Sequence, residues 1–160
     1  MPITLVPARS TAAWDCCRKS SGSIKENSIK LYNLFELEGK ISPHQGQVKG
    51  GLKIRAAALE YVTDLAELAA YFGGAVDKVG IGEDWAVARE LFPGVVIHFI
   101  FNRADSEFPA RLQALYSGEK VKMVHGDELA TMTISMANQL LRYVREKNPD
   151  KKLPEVCYRV

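Results

Sequence analysis

Between Trp85 and Phe101 apolar residues recur at every second position on either side of Phe92–Pro93–Gly94, and that pattern fits little besides a β-hairpin. Proline presets the second position of a tight turn, and glycine accepts the positive φ that a type II turn needs at the third. On the far side of the turn, Val95, Ile97, Phe99 and Phe101 fall on one face of a strand. Val96, His98 and Ile100 fall on the other. A second hairpin is expected from residues 111–116 (RLQALY), a turn at Ser117–Gly118, and residues 120–124 (KVKMV).

Four strands with short connections imply an antiparallel meander. Residues 29–37 alternate well enough to suggest a fifth strand, with Asn33 breaking the face, and residues 40–51 read as a loop because one proline and three glycines fall there. From Leu52 to Phe72 the spacing becomes helical, with a bend expected at Thr63 and a stop at Gly73–Gly74. A final helix is expected from Asp127, as its cap, to Asn148–Pro149. Its inner face would be Leu129, Thr133, Met136, Ala137, Leu140 and Val144. The fold class is therefore α+β: a meander sheet of four to five strands packed on two or three helices. Residues 1–28 read as a loosely attached arm and residues 29–160 as one domain.

The length of 160 residues fits one core. Apolar residues at 47% and charged residues at 25% exclude disorder as the general state. The 21 basic and 19 acidic residues leave a net charge of +2 with no basic stripe, which argues against nucleic-acid binding. The longest apolar run, Val95 to Phe101, is strand-sized, and the first 17 residues lack the pattern of a signal peptide. The expected setting is the cytoplasm, with no membrane partner.

Candidate chemistry is sparse. Asp105 and Glu107 stand two apart in the turn after the most apolar strand, so in extended chain both carboxylates point the same way. Such a pair suits a divalent cation or acid–base work, but paired acids in turns are common, and the plainer reading is a solvated turn whose aspartate binds local amides. His98 sits mid-strand, where it is either a base or ligand, or a half-buried histidine with one hydrogen bond. Asp84 and Trp85 complete the candidate ligand site, with Trp85 and Phe99 able to face a planar molecule or simply to fill the core. The vicinal Cys16–Cys17 and distant Cys157 do not make a thiolate metal motif, and Gly80-x-Gly82 lacks the context of a phosphate loop. No nucleophile elbow, HExxH or P-loop is present.

Several pieces run in a fixed order: Gly73–Gly74, Gly82-x-Asp84, Phe92–Pro93, Asp105-x-Glu107–Phe108–Pro109–Ala110, Leu115–Tyr116, and Asp127 or Glu128 opening the last helix. In these the chain resembles an uncharacterised family of anaerobic bacteria and archaea, catalogued as a domain of unknown function. The resemblance covers about half the chain. Ser117 stands where that family's pattern has an aspartate, and the stretch before Asp105 is less acidic. The resemblance implies an anaerobe's metabolism near metal- or corrinoid-dependent one-carbon chemistry, without a mechanism. Three functions stay open. The first is a binding module for a small-molecule or metal cofactor or for a partner protein. The second is an enzyme using Asp105, Glu107 and His98, and the third is an assembly subunit that dimerises through Met132 and Met136.

Overall fold

The computed structural model describes residues 29–39 and 42–160. The arm expected over 1–28, with Cys16–Cys17, lies outside them. In chain order come helix α1 (Leu34–Glu38), α2 (Pro43–Ala56), a 3-10 turn (Ala57–Tyr61), α3 (Leu65–Phe72), strands β1 (Ala75–Asp77), β2 (Trp85–Phe92), β3 (Val95–Asn102) and β4 (Arg111–Ser117), a 3-10 turn (Val121–Met123), helix α4 (Gly126–Lys147) and a last 3-10 turn (Glu155–Tyr158). The four strands form one antiparallel sheet in the order β1-β2-β3-β4, the expected α+β meander.

The β2–β3 hairpin holds the core. Gly94 adopts φ 80° after Pro93, and Val87 pairs with Phe99 and Trp85 with Phe101. Ile97, Phe99 and Phe101 are fully buried on the helix-covered face, with Phe72 edge-on to Phe99 at 5.7 Å between ring centres. Against this face lies α4, whose Leu129, Thr133, Met136, Ala137, Leu140 and Val144 are all buried as the spacing requires. Tyr116 crosses from β4 to α4, its hydroxyl 2.5 Å from Thr133 Oγ1. Met136 is spent in this core and Met132 packs at its edge.

The helical stretch after Leu52 breaks at Val62–Asp64. Asp64 Oδ1 accepts the Glu67 amide at 2.9 Å to start α3, and Gly73 ends it in the left-handed conformation.

Four expectations need correction. Residues 29–37 make only one bridge, Tyr32 to Tyr116, because Asn33 caps a helix there. The expected loop 40–51 lies largely within α2. Ser42 Oγ accepts the Gln45 amide at 3.2 Å, Pro43 occupies the first turn where its missing N–H is harmless, and Val48, Leu52 and Ala56 supply an apolar stripe. Gly51 lets α2 close on Ile134 of α4, where a Cβ would collide with the isoleucine side chain.

The expected strand 120–124 is a 3-10 turn, since Lys120 N–H turns back to the Gly94 carbonyl at 3.1 Å and only Val121 is buried. The fourth strand is β1, at the opposite edge. Finally, Asp127 is not the cap of α4. His125 holds that position, and the Glu38 carboxylate rests against Gly126 at the helix N-terminus, where negative charge is favoured.

Two glycines separate strain from propensity. Gly118 has φ 116°, and a Cβ there would overlap the Gly94 carbonyl oxygen; Gly50 lies in α2 with nothing within 4 Å. Gly118→Ala should destabilise by about 2 kcal/mol or more. Gly50→Ala should stabilise by roughly 0.5–1 kcal/mol in urea unfolding.

Candidate functional site

The sheet has two faces and a free edge, and each gathers polar groups differently. On the face opposite the helices, residues Asp77, Ala86, Ala88, His98 and Ser117 follow from the register: Asp77 pairs with Ala86, Ala88 with His98, and Val96 with Ser117. The two alanines on β2 leave room for the imidazole to reach across the strand. His98 Nδ1 lies 2.6 Å from Asp77 Oδ2, and its Nε2 lies 2.7 Å from Ser117 Oγ.

This order of acid, imidazole and hydroxyl matches a relay in which a base activates a hydroxyl. However, His98 is 4% exposed and Ser117 3%, so a substrate has no open approach to Oγ. The row acts as a polar staple joining β1, β3 and β4. Sequence reasoning missed Asp77 and Ser117, because the pairing register that unites them is not local.

The expected ligand residues separate. Asp84 is exposed and its Oδ2 accepts the Arg103 amide at 2.7 Å. Trp85 is buried, tilted on Phe101 at 4.8 Å, with its Nε1 lacking a hydrogen-bond partner among the described residues. Asp105 is exposed, and its Oδ1 accepts the amides of Phe108 (2.7 Å) and Glu107 (2.8 Å), which hold its carboxyl below the ordinary range. Glu107 stands in solvent on the same turn. Both nitrogens of His98 are taken by Asp77 and Ser117, while Asp105 remains with its own turn. Among the described residues, no three His, Cys, Asp or Glu side chains gather as a metal site. Cys157 is buried, which raises its thiol.

Gly80-x-Gly82 does form an anion cradle, and the chain fills it. The amides of Val79, Gly80 and Ile81 donate to the Glu83 carboxylate at 2.6–2.8 Å.

A groove of about 770 Å³ lies between α2 and β4. Leu34, Val48, Leu52, Leu112, Ala114 and Tyr116 line its apolar part. Lys49, Lys53 and Arg111 are exposed cations in its lining, and none of these three makes an ion pair or side-chain hydrogen bond among the described residues. At one end Arg103 donates to the carbonyls of Glu60 and Val62, and exposed Phe108 overhangs. Asp105 also lines this end, the one expected site residue that does.

The β4 side of the groove is a sheet edge that, among the described residues, pairs only at Tyr116. Tyr116 exchanges both backbone hydrogen bonds with Tyr32 at 2.8 Å, so its N–H and C=O point outward. In an antiparallel ladder this orientation alternates, so Ala114 and Leu112 also point outward, and neither has a backbone partner there among the described residues. Sequence reasoning missed the groove by reading 40–51 as a loop. Ser42–Pro43 followed by Val48, Leu52 and Ala56 was the available signal.

The fold defines an α+β domain with one open, four-stranded antiparallel sheet. A family model described as a domain of unknown function (DUF3786) matches residues 23–139, well over half the chain, and the chain belongs to that family. No curated protein matches it. No solved structure does either. Among the described residues no helix is long and apolar enough to cross a membrane.

The Glu83 cradle yields a pH test. The Gly80 amide, with those of Glu83, Ile81 and Val79, holds the Glu83 carboxyl at about 2, below its unfolded value. A depressed folded pKa contributes stability above the unfolded pKa and loses it as pH falls toward about 2. Glu83→Gln should therefore lower the urea midpoint at pH 7, with the gap from the parent narrowing between pH 4.5 and 2. A gap independent of pH would contradict the assignment.

Proposed function

We propose that this protein is a binding module and that its ligand occupies the groove between α2 and β4. The observation that carries the reading is the pairing of an apolar floor with three exposed cations that make no ion pair among the described residues. Ligand sites combine apolar lining with a few polar groups that fix orientation. Long cationic side chains around such a floor favour a ligand with apolar bulk and negative charge. Of the roles that the sequence leaves open, binding draws most support, because Asp105 and His98 are held by near neighbours and Glu107 stands in solvent. The apolar stripe of α4 faces the core, so that helix offers little for dimerisation.

A small probe tests this. Anilinonaphthalene sulfonate carries apolar rings and one fixed negative charge. It should bind with enhanced fluorescence, and amide shifts should move at Val48, Leu52 and Ala114. The double variant Lys49→Glu/Lys53→Glu should bind about tenfold more weakly, and added salt should weaken the parent. The control Lys151→Glu/Lys152→Glu makes the same charge change outside the groove and should bind as the parent does. Equal binding by both variants, each folded by circular dichroism, would overturn the reading.

A further inference from the structure

We infer that the ligand of this groove is an extended acidic segment of a partner protein, which adds to the sheet as a strand antiparallel to β4, as Tyr32 already does at Tyr116. The inference rests on the groove reading above and names its occupant. Ala114 and Leu112 present outward N–H and C=O groups to the groove, and a small apolar anion leaves those groups without protein partners. A peptide backbone satisfies them, because each residue brings one donor and one acceptor at strand spacing. Tyr32 already uses the edge in this way at Tyr116, and the chain then leaves for α1, so among the described residues nothing pairs with the edge from Ala114 towards Phe108.

The side chains of Leu112, Ala114 and Tyr116 lie on the helix-covered face. An incoming residue directly opposite Ala114 directs its side chain to the same face, onto Val48 and Leu52, and its own N–H and C=O toward β4. The residues between direct their side chains away from the helices, beside Arg111, while Lys49 and Lys53 set a positive potential along the α2 wall. The fitting segment therefore alternates apolar and acidic residues. A basic or uniformly polar strand meets the same edge with the wrong charge.

The probe is an acetylated, amidated heptapeptide of alternating glutamate and valine, in three forms: unmodified, N-methylated at its valine amides, and N-methylated at its glutamate amides. Binding is followed on the full chain by amide shifts and hydrogen exchange. The unmodified peptide should bind and slow exchange at Leu112 and Ala114 at least tenfold. Methylation at valine should weaken binding at least tenfold, since those amides face β4, whereas methylation at glutamate should leave it nearly unchanged. Lys49→Glu/Lys53→Glu should also weaken the unmodified peptide about tenfold.

If all three forms bind alike without slowing those amides, strand addition is wrong while the groove remains a binding site. If neither the peptide nor the naphthalene sulfonate probe binds, the groove reading falls with it. If Leu112 and Ala114 are protected without peptide in a protein that sediments as a dimer, a second copy of this chain occupies the edge and the partner-protein inference is overturned.

Discussion

The layout around the groove depends on one reciprocal pair of hydrogen bonds at Asn33. Its Oδ1 accepts the Glu36 amide and the Glu36 carboxylate accepts the Asn33 amide, both at 2.8 Å. This capping box converts a chain that has just begun to pair with β4 at Tyr32 into a helix one residue later. Leu34, which continued pairing would set beside Ala114, instead enters the core at 1% exposure. Two residues of β4 are thereby left with outward-pointing backbone, and α2 then runs past them. A strand edge is ordinarily blunted or covered because it invites another chain. Here it is flanked by apolar floor and cations, features suited to a selected partner.

The rest of the fold holds that edge in place. The β2–β3 hairpin buries its alternate residues against α4, and the Tyr116 hydroxyl ties β4 to Thr133. On the other face the Asp77–His98–Ser117 row links β1, β3 and β4 through one imidazole. Removing one member of such a row strands the others, so its cost is larger than the worth of a single hydrogen bond.

What was legible in the sequence followed strict periodicity. The alternation from Trp85 to Phe101, with Pro93–Gly94 at its centre, specifies the hairpin, and the spacing from Leu129 to Val144 specifies α4. Short elements were misread where one local signal overrode another. Three glycines hid α2, although Ser42–Pro43 marks its start and Gly51 serves a close approach to α4. Alternation over 29–37 masked the Asn33–Glu36 box. The candidate site was legible only at Asp105, at the groove's end. Lys49, Lys53, Arg111 and the free edge meet through tertiary packing and strand order, which no local pattern encodes.

The most direct test of this account is amide hydrogen exchange on the free protein. Ala114 and Leu112 should exchange about a hundredfold faster than Gln113 and Leu115, whose amides face β3, and faster than Tyr116, which Tyr32 pairs. Uniform protection along β4 in a monomer would mean that the edge is closed, and the binding account would fail with it.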